Sequence, residues 1–245
     1  MNYNETIKWL LANDRNPLCV IGSDKLKVKE YVAEKLGSSE YTPKVLAVGD
    51  SVHDCYDNFL NRIPPKNYVL KANNDSGGVM IVKDKVIVKG NMHRLEKHKT
   101  VPYGQAKGEW FYAEIPFKVF AEEFLKDDII DYKWHCSNGT PKFCQVIKDR
   151  NTVTNEICLM PDGDIIPEHF DTNFARSKYF LKPESWYKQI EIATKLCKDF
   201  RYVRVDLFSI KDKVYVGELT FAPRAGNYPY NEAIERLGKM LDINS

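Results

Sequence analysis

The 245-residue chain has no apolar run approaching the ~20 residues that a membrane-spanning helix needs, so no membrane span is expected. It has no excess of one charge. The 36 Lys and Arg stand against 34 Asp and Glu, which removes the bulk electrostatic case for binding nucleic acid. The start, Met1-Asn2-Tyr3-Asn4-Glu5, lacks a basic stretch leading into an apolar core, and no secretory signal is expected. No two of Cys19, Cys55, Cys136, Cys144, Cys158 and Cys197 form a C-x-x-C pair. That argues against a zinc site or a disulfide framework and for a reduced, cytoplasmic setting. Internal repeats, low-complexity segments and a G-x-x-x-x-G-K-[ST] loop are all missing, as is any Ser-His-Asp or Cys-His constellation that can be placed. The length allows one large domain or two small ones.

Of what is present, the stretch from Phe200 to Gly226 says most. Two β-rich runs, Tyr202–Phe208 and Val214–Thr220, flank Lys211-Asp212-Lys213 and read as a hairpin. A loop centred on Asp212 sets Asp206 across from Glu218 and Arg204 across from Thr220, all on one face. Two carboxylates facing each other at ~5 Å repel. A divalent cation between them would offset that cost, and Mg²⁺ commonly uses one or two carboxylates plus substrate phosphates. The other reading is an edge hairpin with solvated charges, and a one-residue slip would put the two acids on opposite faces.

Elsewhere, residues 1–22 read as a short helix and a strand over Leu18-Cys19-Val20-Ile21. Ser23 as N-cap and Gly37 as stop bracket a helix carrying Val28, Tyr31, Val32 and Leu36. Lys25 then falls in a first turn, where acids are preferred. Residues 38–66 read as irregular around Val45–Val48, closed by Pro64-Pro65. Strands at Tyr68–Ala72, which carries Lys71, and at Val79–Val82 flank the loop Asn73–Gly78. That loop either lays backbone N–H groups over phosphates or is an ordinary hairpin turn. Residues 83–108, with His93, Arg94, Lys97, His98 and Lys99, read as a solvated loop or as a flap over an anionic substrate. Phe117, Phe120 and Phe124 have helical spacing in a segment short for a helix. Tyr132–Cys136 and Phe143–Ile147 pair across Asn138-Gly139, and residues 149–181 read as a long loop. Pro183 opens a helix with Trp186, Ile190, Ala193 and Cys197 on one stripe. Pro223–Gly226 is a turn, and a last helix from about Asn231 presents Ile234, Leu237 and Leu241. Tyr103, Trp110, Tyr112 and Trp134 either line a sugar-binding surface or fill cores.

Six segments in order resemble the TupA-like ATP-grasp family of teichuronopeptide and surface-polysaccharide biosynthesis. They are GSDKLKVKEYVAEKLG (22–37), YVLKANNDSGG (68–78), FAEEFL (120–125), YKWHCSNGTPKF (132–143), KPESW (182–186) and FRYVRVDLF…VGELTFAPRAG (200–226). The resemblance implies an α+β, ATP-grasp fold in which two α+β subdomains clamp ATP between antiparallel sheets. It divides the chain into a reduced N-terminal region (1–66), a small lid subdomain (67–125) and a large subdomain bearing the metal-binding hairpin (126–245). It further implies that Lys25 reaches the nucleotide, that Lys71 meets its phosphates and that Ser76, Gly77 and Gly78 cover them. Glu122, Glu123, Phe124 and Leu125 become a strand and linker whose backbone pairs with adenine, against the helical spacing. Asp206 and Glu218 match two acidic metal ligands. Arg204 matches an arginine beside the acyl-phosphate and its tetrahedral successor. Thr220 stands where many such enzymes place a metal-binding asparagine.

The implied activity is that of an ATP- and Mg²⁺-dependent carboxylate–amine ligase. ATP phosphorylates a small-molecule or saccharide carboxylate, uronic or glutamyl, and an amine displaces phosphate to leave an amide. Two alternatives stand beside it: a glycosyltransferase-type enzyme using a nucleotide sugar, and a nucleotide-binding module without catalysis. Thermal shift with ATP against UDP-sugars separates the first from the ligase, and ADP release separates the second. Asp206→Asn is expected to abolish ATP-dependent product formation.

Overall fold

The computed structural model describes residues 1–60, 65–127, 129–150, 152–211 and 213–243. Pro64, expected to help close a segment, lies outside them. Three helices open the chain: α1 (Tyr3–Asn13), α2 (Leu18–Ser23) and α3 (Lys27–Leu36). A capping box starts α1, with Asn2 and Glu5 each accepting the other's backbone N–H. The strand expected over Leu18–Ile21 is instead part of α2. A short apolar run carries no period of its own, and Asn16 Oδ1 accepts the Leu18 N–H at 3.0 Å to begin a helical turn. Ser23, expected as the N-cap of α3, is instead the last residue of α2; Leu26 holds the N-cap position, and Asp24 Oδ1 takes the N–H groups of Leu26 (2.9 Å) and Lys27 (3.3 Å) in the turn before the helix. Gly37 ends α3 as expected, at φ 76°, where glycine has no steric cost.

Residues 38–66, expected to be irregular, hold β1 (Val45–Gly49) and α4 (Val52–Leu60). After them come β2 (Asn67–Ala72), β3 (Val79–Lys83), β4 (Val86–Lys89), the short α5 (Met92–Glu96) and β5 (Val119–Glu123). The five strands form an antiparallel sheet ordered β1-β5-β2-β3-β4. β5 is flanked on both edges, and its Val119, Phe120 and Ala121 are all fully buried. Pairing on two sides overrides the helical spacing of the phenylalanines.

The second sheet contains β6 (Asp131–Ser137), β7 (Thr140–Lys148), β8 (Asn155–Leu159) and β9 (Ala175–Arg176), then, after α6 (Trp186–Cys197), β10 (Tyr202–Ile210) and β11 (Lys213–Thr220). Its order is β11-β10-β6-β7-β8-β9, antiparallel except for β8 with β9. Asn138 (φ 49°) and Gly139 (φ 72°) make the tight turn between β6 and β7. The long loop expected over 149–181 thus contains β8 and β9. The last helix, α7 (Glu232–Leu241), is capped by Asn231.

Packing does not follow the expected division at 66/67 and 125/126. One core joins the second sheet to Tyr3, Ile7, Val28 and Val32 of the opening helices and to Phe111, Tyr112 and Ile115. The other joins the first sheet to Val52, Cys55 and Phe59 of α4 and to Leu95. The reason is non-local. β1 pairs with β5, more than seventy residues later, so residues 45–60 belong to the first sheet, while α1–α3 belong to the second.

Gly238 is where α7 meets the start of α1. A Cβ there would lie 2.1 Å from the Tyr3 nitrogen and 2.3 Å from the Asn2 carbonyl carbon. Gly238→Ala must therefore push the two helices apart, at a cost of ~1–3 kcal/mol. The expected readout is a lower urea midpoint with an unchanged slope.

Candidate active site

Pairing between β10 and β11 places the opposed acids across from each other. At the loop end Ile210 pairs with Lys213 and Leu207 with Val216, one residue away from the register of a loop centred on Asp212. A bulge at Gly217 then inserts one residue, and beyond it Asp206 faces Glu218 and Arg204 faces Thr220. Asp212 itself lies outside the described residues.

Asp206 is 6% exposed and held by two cations. Arg204 grips it with two hydrogen bonds, Nε to Oδ1 at 2.6 Å and a terminal nitrogen to Oδ2 at 2.7 Å. Lys133, facing Asp206 from β6, pairs with Oδ2. Burial pushes the Asp206 carboxyl up, but Arg204 and then Lys133 outweigh it and hold it at about 2 instead of 3.8. Arg204 also donates to Thr220 Oγ1 at 3.1 Å, so the threonine at the expected asparagine position orients the arginine. Glu218, by contrast, has one ion-pair partner, Lys25 at 3.6 Å.

Lys25 joins the two halves. It lies in the turn between α2 and α3, its ammonium donates to the Asp75 carbonyl of the glycine-rich loop, and it sits beside Glu218 of β11. Asparagines tie that loop down: Asn73 bonds Asp24, the Pro116 carbonyl and the Lys118 N–H, and Asn74 bonds the His98 carbonyl. Gly77 has φ 84°, and a Cβ on Gly78 would lie 2.2 Å from Asp75 Oδ2, so both glycines are required by geometry. The expected solvated loop over 83–108 is anchored here as well, through His98 and the buried Leu95.

In the strand and linker, the Glu122 side chain pairs with Lys71 and with Lys29, the latter at 2.9 Å. Burial favours neutral Glu122, yet Lys71 and Lys29 together bring its carboxyl below the usual range. The Glu123 N–H is taken by the Lys44 carbonyl at 3.0 Å, and past it Phe124 and Leu125 run free of the sheet ladder.

Two cavities open along the cleft. The first, about 360 Å³, lies between the sheets and is lined by Lys25, Lys29, Lys71 and Glu122–Lys126 together with Val69, Val79, Ile81, Phe208 and Val216. The second, about 460 Å³, is lined by Ser76, Tyr103, Glu109, Tyr112, Arg204, Glu218, Thr220 and Arg224. Of the residues expected to serve a site, Lys25, Lys71, Glu122, Glu123, Phe124 and Leu125 line the first, whereas Ser76, Arg204 and Glu218 line the second.

The chain matches the model of the family described as TupA-like ATPgrasp over residues 5–241. It belongs to that family. Its fold is the ATP-grasp fold, similar to that of the D-alanine–D-alanine ligase of Helicobacter pylori (TM-score 0.54, 18% identity, 90% of this chain and 60% of that one). It is likewise similar to the L-amino acid ligase of Bacillus licheniformis (TM-score 0.50, 15% identity, 84% of this chain and 44% of that one). This chain therefore spans about half the length of those two ligases. A search of curated proteins found no match.

Several residues of this ATP-grasp cleft escaped the sequence reading. Lys29, in the first turn of α3, lines the first cavity beside Lys25 of the preceding turn. Lys133 and Glu109 gave no local signal. Trp134 is fully buried against Trp186, its Nε1 donating to Gln189 at 3.2 Å, so it fills the core. Trp110 packs against the same core under Arg15, while Tyr103 and Tyr112 face the second cavity.

The donor chemistry fits a hard divalent cation, with Glu218 the more open partner. A carboxylate offers about four lone-pair sites, and Asp206 spends three on Arg204 and Lys133, leaving one on Oδ1. Among the described residues no group of three or more His, Cys, Asp or Glu forms a self-sufficient metal cage.

Asp206→Asn would leave Arg204 and Lys133 buried against a neutral amide, an expected loss of ~3–5 kcal/mol. Because the folded-state value is depressed, the ionised carboxylate stabilises the fold fully above pH ~4, and that contribution disappears as pH falls through about 2. Urea midpoints measured across this window should fall for the wild type and stay flatter for Asp206→Asn.

Proposed function

We propose that the protein is an ATP- and Mg²⁺-dependent ligase that joins a carboxylate to an amine through an acyl-phosphate. The observation that carries this reading is the meeting of two cavities at the Lys25–Glu218 pair. The first is lysine-lined and apolar, within the size range of small-ligand sites, and suits ATP. Lys25 and Lys71 neutralise its phosphates, Gly77 and Gly78 let the loop backbone approach them, and the chain from Glu122 to Leu125 receives adenine. Glu218 and the remaining lone pair of Asp206 would hold Mg²⁺, which when bound screens the charge of the transferring phosphoryl group. Arg204, fixed by Asp206 and Thr220 at the mouth of the second cavity, stabilises the oxyanion that develops at the carbonyl. Tyr103 and Tyr112 offer ring surface to a saccharide. A uronic-acid or glutamyl carboxylate in surface-polysaccharide or capsule assembly follows from the family resemblance, as does a cytoplasmic site of action. Six free, buried cysteines support that location, and no helix among the described residues is long and apolar enough to cross a membrane.

An ADP-release screen of carboxylates against amines, with mass spectrometry of the products, tests the reaction. ADP formed only when both partners are present, with an amide of the summed mass less water, is the expected result. Glu218→Gln, whose one ion-pair contact is long, should keep wild-type stability while turnover falls ~10²-fold or more. Unchanged Mg²⁺ dependence in that variant would remove Glu218 from the metal.

A further inference from the structure

Resting on the ligase reading, we propose that Glu109 is the general base that takes a proton from the ammonium group of the amine substrate. Glu109 lines the second cavity together with Arg204 and Glu218. A turn around Gly104 fixes its place: the Gly104 carbonyl accepts from Lys107 N at 2.8 Å and Glu109 N at 3.1 Å. Gly104 has φ 70°, and a Cβ there would lie 2.6 Å from Glu109 Oε2, so the absence of a side chain makes room for the carboxylate. The residue is 6% exposed. Among the described residues no hydrogen bond or ion pair engages its carboxylate, whereas the buried Glu122 and Asp206 are each held by two cations. A buried acid without a partner is costly, and such groups gather where they have work to do.

The cavity offers few rivals. Of its described lining residues only Glu109 and Glu218 are acids, and none is a histidine. Glu218 is paired with Lys25 and suited to the metal. The titratable groups that share the cavity with Glu109 are Lys107, Arg204, Arg224 and Glu218, with the phenols of Tyr103 and Tyr112. Burial pushes the Glu109 carboxyl up, Lys107 opposes it and Glu218 adds to it, leaving it at about 7, where a base both exists deprotonated and accepts a proton readily.

The amine arrives as an ammonium, and Glu109 accepts one proton. The freed lone pair forms the C–N bond at the acyl-phosphate carbonyl. Collapse breaks the carbon–oxygen bond to phosphate, which leaves with the bonding pair. The surplus proton on nitrogen departs with the phosphate, and Glu109 returns its own to solvent.

The test compares two nucleophiles on the wild type, Glu109→Gln and Glu109→Asp, with a carboxylate from the ADP-release screen. One is the screened amine, an ammonium at pH 7. The other is hydroxylamine, uncharged there and with no proton to shed before attack. Glu109→Gln should lose ~10²–10⁴-fold in kcat with the amine yet form hydroxamate within about threefold of wild type, with ATP-induced thermal shift unchanged. For the wild type, kcat/KM with the amine should rise through pH about 7, and that limb should vanish in Glu109→Gln and persist in Glu109→Asp. Equal loss with both nucleophiles, or no loss with the amine, would overturn the assignment. Should Glu109→Gln not fold, a Glu109→Asp variant that shows no limb overturns it equally. A wild type that forms neither amide nor hydroxamate would sink the ligase reading itself, and the base with it.

Discussion

A carboxylate buried between an arginine and a lysine fixes the floor of the cleft. Asp206, Arg204 and Lys133 come from two adjacent strands, β10 and β6, and all three are largely withdrawn from water. A cluster of this kind is rarely the cheapest way to stabilise a sheet, since apolar residues of similar volume often serve as well or better. What it supplies is a rigid arginine. Arg204 is bound at two nitrogens by Asp206 and again by Thr220, so its guanidinium is oriented before any substrate arrives, as electrostatic stabilisation of a developing charge requires. Glu218, directly opposite Asp206, is left nearly uncommitted. The two facing acids thus differ: one is committed to two cations of the protein, and the other has a single long ion pair.

The opposed pair was legible in the sequence because strands alternate and hairpins fold back on themselves. Its register rests on a compensation, since the bulge at Gly217 offsets a loop one residue shorter than the break Lys211–Lys213 suggests. A glycine in a strand is a recognised sign of a bulge, so that signal was available. The strand nature of Val119–Glu123 came from the family resemblance, because its phenylalanine spacing pointed to a helix and only pairing on both edges decided otherwise. The helix α2 and the core division were not legible. Six apolar or small residues carry no period, and the assignment of β1 and α4 to the first sheet rests on a partner far along the chain. Lys133 and Glu109 stayed hidden for the same reason: each matters for what it faces across the fold, not for its neighbours in sequence.

Residues 90–116 make a compact bridge between the two sheets. Leu95 packs into the first core and Phe111, Tyr112 and Ile115 into the second. His98 receives Asn74 from the glycine-rich loop at its carbonyl, and its ring meets Tyr103 edge-on at 5.4 Å. This bridge, in turn, supplies one wall of the second cavity through Tyr103, Lys107, Glu109 and Tyr112. The segment that ties the glycine-rich loop to the core of the opposite half therefore also shapes the second cavity.

Charge separates the roles of the two cavities. Around the first stand Lys25, Lys29, Lys71, Lys89 and Lys126 against Glu122, Glu123 and Asp131, five cations to three anions, an excess suited to a polyanion. Around the second stand Lys107, Arg204 and Arg224 against Glu109 and Glu218, but both arginines are already spent on acids outside the lining. Arg204 is bound to Asp206, and Arg224 to the buried Asp171 at 2.8 Å. Counting those bonds and the pairing of Glu218 with Lys25, the second cavity keeps one charge of each sign, on Lys107 and Glu109. The lysine excess is confined to the first cavity, so a polyanion is attracted there and gains little in the second. The field of the folded chain thus favours anions at the first cavity over the second.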